Sequence, residues 1–206
     1  MKMVVYIDGS HRTVKQGVFA EQPRWTHALG WGIVALVGDE TYELSGAVPV
    51  PNKAEGSHEM LAFVELVRFI KKMGVAFRDV FIVTDDEVVA YAPQAIHPDN
   101  FRQTAATLVN RHLNVICSLV GDDSLKQAAL ECFSTSRFLK VRAHRLHVYN
   151  NRADYLSAQA TLALTGAPAP VEDYDTWVSK GFLTHTKEGV AYRWYPPFTK
   201  SKKVAA

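Results

Sequence analysis

The chain has little of what usually settles a protein's class at once. Cysteine is scarce: Cys117 and Cys132 are the only two among 206 residues. Neither stands in a CxxC pair, and their spacing fits no zinc ribbon, so both are expected to be small buried apolar residues in a reducing compartment. No apolar run approaches the roughly 20 residues that span a bilayer. The opening MKMVVYIDGS has no apolar signal-peptide core and turns polar at Asp8. These absences predict a soluble cytoplasmic protein with no membrane association. A dominant charge is missing as well. The net charge is +2 and the pI about 8.5, so any nucleic-acid binding must come from a local patch and not from a global field. There is no glycine-rich phosphate loop. Adjacent Ser10 and His11 are no catalytic triad, because chain neighbours do not supply the base geometry. His144, His147 and His185 lack third and fourth partners at zinc spacing.

What is present describes an ordinary globular chain. Hydrophobic residues make up 48% and charged residues 21%, which predicts a packed core. The length suits one domain with appendages. Met3 to Asp8 is β-prone and almost continuously apolar, as in a strand covered on both faces. Residues 9–29 are polar and irregular. Gly30-Trp31-Gly32 opens a second strand, Ile33 to Val37, and a turn at Gly38-Asp39-Glu40 returns the chain as a third, Thr41 to Val48. A helix is predicted from Ser57, a plausible N-cap, to Met73, with Gly74 as its stop. Phe63, Leu66, Val67, Ile70 and Met73 form its apolar stripe, with Glu65, Arg68, Lys71 and Lys72 on the other side. Asp79 to Asp85 is a fourth strand. Residues 99–133 read as one or two helices broken near Gly121-Asp122-Asp123. Phe138 to Arg142 is a fifth strand, and Asn150 to Leu164 a closing helix.

This order predicts an α/β fold: a mixed five-stranded sheet, three antiparallel strands then parallel ones, flanked by helices. The domain is expected to cover residues 1–165. Residues 166–206 form a C-terminal extension: a Gly-Ala-Pro linker, a turn near Trp177, an aromatic strand at Tyr192–Tyr195 and a basic end with Lys200, Lys202 and Lys203.

Four acids stand where acids are costly. Asp8 ends an apolar strand on the face of Val4 and Tyr6. Asp85 ends another on the face of Phe81 and Val83. Glu59 lies on the apolar stripe of its helix, four and seven positions before Phe63 and Leu66. Asp154 precedes Ala158 and Leu162 by four and eight positions in the last helix. Ligand sites in α/β sheets gather at the carboxyl ends of strands. Carboxylates gathered there without bases repel, and either protonate or bind hard cations such as magnesium or manganese. Each acid also has a bland explanation. An acid in a first helical turn favours the helix dipole, and an acid after a strand favours a turn. Their joint spacing and order are what weigh against coincidence.

In that order the sequence resembles type 1 ribonucleases H over roughly residues 3–164. Asp8-Gly9-Ser10 is similar to the family's first-strand motif, and Gly30-Trp31-Gly32 to its glycine-flanked opening of strand two. Ser57-His58-Glu59 resembles the helix-borne glutamate, and Val83-Thr84-Asp85 the aspartate ending strand four. His144, with Asn150-Asn151-Arg152-Ala153-Asp154, resembles the closing motif. The resemblance implies a metal-dependent endonuclease that hydrolyses the RNA strand of RNA–DNA hybrids. Asp8, Glu59, Asp85 and Asp154 would hold two magnesium ions roughly 3.5–4 Å apart, with manganese able to substitute. His144 would assist proton transfer or product release. Gly9, Ser10, Ser57, Asn150 and Arg152 would contact substrate. No protein partner is implied.

The chain also departs from that family. Glu55, Gly56 and Ser57 replace the small polar residues, often asparagines, that help read the RNA 2′-hydroxyl. Glu87 replaces an amide, Asp86 stands where a serine is usual and competes with Asp85 as a ligand, and the histidine loop has Ala143 and Leu146 for its glycines. Residues 99–133 hold few bases and no tryptophan. Two alternatives therefore stand beside the hybrid nuclease. One is a nuclease of the same fold acting on another nucleic acid. The other is a non-catalytic nucleic-acid-binding or scaffold module, against which the full carboxylate set argues.

Overall fold

The computed structural model describes residues 2–51, 57–97, 103–142, 147–167 and 202–203. Three long strands, β1 (Met3–Thr13), β2 (His27–Val37) and β3 (Glu40–Val50), form an antiparallel meander. Helix α1 (Ser57–Met73) and a 3₁₀ turn at Phe77–Asp79 lead to β4 (Val80–Thr84), which pairs parallel to β1. Helices α2 (Glu87–Ile96), α3 (Gln103–Leu119) and α4 (Ser124–Thr135) follow. Then come β5 (Arg137–Lys140), parallel to β4, and α5 (Val148–Leu164). A two-residue β6 (Lys202–Lys203) lies beside β3, and the sheet order is β5-β4-β1-β2-β3-β6. The mixed sheet of three antiparallel and two parallel strands is the one the sequence predicts, with β6 added at its edge.

Two differences from the sequence reading are informative. The polar stretch 9–29 continues both flanking strands, so β1 and β2 pair without interruption to Thr13 opposite His27. A ladder needs backbone partners, not apolar side chains, and its outer end is half-exposed. Helix α2 was not anticipated. It carries Pro93 inside and only ten residues, two features that blur a helical pattern.

The core lies mainly between the sheet and α1. Phe63, Leu66, Val67 and Ile70 are fully buried as their spacing predicts. Phe63 stacks on Phe133 of α4 at 4.0 Å, with Phe138 of β5 beside them. Because α3 and α4 pack on α1, its far side is not free surface. Glu65, on the side opposite the apolar stripe, is buried and accepts two bonds from Arg68 Nη1 at 2.7 and 2.8 Å. The opposite sheet face holds α5, which packs with an unusually polar contact surface: Asn150, Asn151, Ala153, Ser157 and Thr161.

Candidate functional site

The site forms where β4 ends beside β1, its parallel neighbour, beneath the start of α1. Alternation along β1 sends Asp8 to the face of α5 and Gly9 to the face of α1. Gly9 allows the first turn of α1 to press on the strand. A Cβ added there would lie 2.6 Å from the Glu59 backbone nitrogen and 2.5 Å from the His58 carbonyl oxygen. That proximity lets Gly9 N–H donate to Glu59 Oε2 at 3.0 Å. The acid from the helix is thereby fixed beside the acid from the strand.

Glycines play the same part beneath α5. A Cβ on Gly30 would lie 2.5 Å from Ser10 Oγ and from the Ser157 carbonyl, and one on Gly32 would lie 2.8 Å from the Ser157 nitrogen. Helix α5 therefore rests its backbone almost directly on β2. Ser10 Oγ donates to the Ser157 carbonyl at 2.8 Å and also bonds Thr161 Oγ1. Close approach rewards small residues, so Ala153, Ser157 and Thr161 form the buried row. Ala158 and Leu162, which the sequence placed with Asp154 on an apolar stripe, are only partly buried. Asp154 lies at the margin of the α5 contact face and not within an apolar stripe.

Asp8, Glu59 and Asp85 come together. Each offers a carboxylate oxygen within 4.8 Å of the others, with Asp8 and Glu59 buried and Asp85 half-buried. Asp154 stands outside that tight group but near enough to act on Asp8. Burial, and then the charges of Glu59, Asp154 and Asp85, push the Asp8 carboxyl well above the usual range. Burial, and then the charges of Asp86 and Asp85, do the same to Glu59 against the pull of the Gly9 bond. Asp85 is steadied by Asn150, whose Nδ2 donates to Asp85 Oδ2 at 3.2 Å. Asn150 Oδ1 is buried without a hydrogen-bond donor.

Asp86 has another use. It caps α2: its Oδ1 accepts from Val89 N–H at 2.7 Å while its own N–H donates to Thr84 Oγ1 at 3.1 Å. Aspartate directly before Glu87-Val88-Val89 is a readable N-cap signal. Exposed Glu87 pairs with half-buried Lys140 of β5. Arg152 Nε and Nη2 donate to both oxygens of buried Glu43 at 2.9 and 2.8 Å, and its guanidinium lies over the Tyr155 ring. This bidentate pair joins α5 to β3, a contact that no local pattern in the sequence reveals. His58 adjoins the cluster, and the rings of His11 and His27 follow beyond it. His11 Nε2 bonds His27 Nδ1 at 2.9 Å, and His58 Nε2 stands 3.7 Å from Glu59 Oε1.

No protein-family model matches the sequence, and no curated protein matches it. Solved structures do match in shape. The N-terminal ribonuclease H domain of Rv2228c from Mycobacterium tuberculosis superposes with a TM-score of 0.50 at 16% identity, covering 80% of this chain and 96% of that one. The foamy viral protease-reverse transcriptase, solved in complex with double-stranded DNA, gives 0.51 at 22% identity, covering 78% and 94%. The chain has the ribonuclease H fold. Within this ribonuclease H fold, Asp8, Gly9, Ser10, Glu59, Asp85, Asn150 and Asp154 border one sheet edge or the helix ends above it. Ser57 begins α1, though its side chain lies outside the described residues, as does His144. The predicted tail elements at Trp177 and Tyr192–Tyr195 also lie outside them. No described helix is long and apolar enough to cross a membrane.

The donor set fits a hard divalent cation. It is all carboxylate oxygen, without thiolate or imidazole within the group. Its buried acids repel, so a cation relieves an electrostatic cost that the protein otherwise meets by protonation.

Proposed function

We propose that the protein is a metal-dependent endonuclease that cuts the RNA strand of RNA–DNA hybrids. The observation that carries this reading is the convergence of Asp8, Glu59 and Asp85, with Asp154 alongside, at the carboxyl edge of a ribonuclease H sheet. Asp8, Glu59, Asp85 and Asp154 would hold a pair of magnesium ions, with manganese as a substitute. When bound, such ions supply a nucleophilic hydroxide at neutral pH and stabilise charge on the reacting phosphate. The protein's own residues do the positioning. Gly9 N–H orients Glu59. Asn150 orients Asp85. His144 serves proton transfer or product release. Gly9, Ser10, Ser57 and Asn150 border the substrate, and Arg152 holds the helix that carries Asp154. The repelling carboxylates give a non-catalytic scaffold no advantage, which favours the enzyme.

The test is a cleavage panel. Labelled RNA–DNA hybrid, double-stranded RNA, single-stranded DNA and double-stranded DNA are incubated with magnesium, manganese or chelator, beside Asp8→Asn. Hybrid cleavage that needs metal and falls more than about 100-fold in Asp8→Asn is expected, since even groups that only support metal ligands are worth 10–100-fold. Cleavage confined to another substrate would replace the hybrid with that substrate. No cleavage of any nucleic acid would sink the enzyme.

A further inference from the structure

We propose that the overhanging β1–β2 hairpin is a phosphate-gripping surface for the nucleic acid, continuous with the carboxylate cluster. The proposal rests on the nuclease reading and names the residues that hold its substrate. Strand β1 pairs with β4 only from Met3 to Tyr6, but with β2 as far as Thr13. The hairpin thus runs five residues past Asp8, about 17 Å at strand rise. It is a built ledge and not a loose loop. Val14 N–H continues the ladder to the Thr26 carbonyl at 2.8 Å, and Gly17 N–H donates to the Pro23 carbonyl at 2.8 Å. Phe19 is buried and anchors the tip.

The charge on this ledge is one-sided. Residues 11–27 contain Arg12, Lys15 and Arg24 against the single acid Glu21, a net +2 that equals the net charge of the whole chain. All three cations are exposed. None makes an ion pair among the described residues. Polar rings bridge the ledge to the metal-site acids. The His11 ring lies 5.1 Å from that of His27 and 6.4 Å from that of His58, which adjoins Glu59. His11 shares the face of Gly9 and α1, so a strand whose phosphates lie along that face of the ledge meets hydrogen-bonding imidazoles leading to the carboxylates. Exposed cations on a hydrogen-bonded hairpin suit a polyanion, whose binding releases counterions and so depends steeply on salt.

The experiment compares the full-length wild type with the triple variant Arg12→Gln, Lys15→Gln, Arg24→Gln. Binding of a fluorescein-labelled 20-base-pair RNA–DNA hybrid is followed by anisotropy in EDTA across salt concentrations, and kcat and KM are measured with magnesium. Circular dichroism verifies that the variant is folded. The expected result is binding weakened at least about tenfold, a salt slope reduced by roughly 2–3, and KM raised with kcat little changed. A folded variant with unchanged affinity and slope, beside a wild type that binds and cleaves, would overturn the grip alone. A wild type that neither binds nor cleaves any nucleic acid would overturn the nuclease reading beneath it.

Discussion

At the scale of single residues, the site is built on opposed demands. Asp8 and Glu59 are buried, which resists their charge, whereas the proposed metal site requires it. Their carboxyls are held up by burial and by each other. Asn150 is the neutral group that makes Asp85 usable, through a bond of 3.2 Å. Asn150→Ala should therefore cost about 10–100-fold in magnesium affinity or cleavage rate while leaving the fold intact. Titration calorimetry with magnesium, beside a thermal melt, checks both halves. Equal metal affinity in variant and wild type would make Asn150 a packing residue only. Most of these residues were legible beforehand, because an acid closing an apolar strand stands out against its neighbours. Asp154 is the exception: its spacing to Ala158 and Leu162 suggests an apolar row, but the face α5 buries is small and polar.

At the scale of elements, two glycine contacts decide whether the acids meet. Gly9 lets α1 settle on β1, and Gly30 with Gly32 lets α5 settle on β2. Gly32→Ala would set a methyl group against the Ala153 carbonyl and the Ser157 nitrogen, both backbone atoms that cannot turn aside. Overpacking of this kind costs roughly 1–3 kcal/mol. Urea unfolding should show that loss. Cleavage should fall as well, because lifting α5 moves Asp154 relative to Asp8. An unchanged midpoint would mean that the helix shifts without strain. The Gly-Trp-Gly pattern was visible in the sequence as a strand opening. Its purpose is not, since nothing local says that a helix beginning 116 residues after Gly32 would rest on it.

At the scale of the whole molecule, the gathered acids make stability depend on pH and on cations. Asp8 and Glu59 have folded carboxyl values above their unfolded ones, so between the two the folded state binds more protons. Stability then falls as pH rises from about 4, the unfolded value, through the raised folded values. Magnesium should reverse the loss, because a cation binds the ionised folded site and not the unfolded chain. Thermal melts in EDTA should show a midpoint falling over that window. Asp8→Asn should flatten the fall and raise the metal-free midpoint at neutral pH by several degrees, about 2–4 °C per kcal/mol at this size. Magnesium should raise the wild-type midpoint most. A wild type and Asp8→Asn with identical pH profiles in EDTA would contradict the shifted carboxyls.

The mixed sheet, the order of its elements along the chain and the acids near its edge are legible in the sequence, whereas the order of strands across the sheet is not. Strand alternation, helical spacing and motif order are local properties, and each is written in a few neighbouring residues. Asp8, Glu59 and Asp85 could be named from them before any packing was known. How those residues are held depends on contacts between distant parts of the chain. Gly9 N–H on Glu59, Asn150 on Asp85, and Arg152 on Glu43 join residues 50, 65 and 109 positions apart. The same holds for Asp86, drawn off to cap α2, and for the polar stretch after Asp8, which became a basic ledge. Periodicity reports what a residue's own element buries. It carries no information about which distant backbone will come to lie against it.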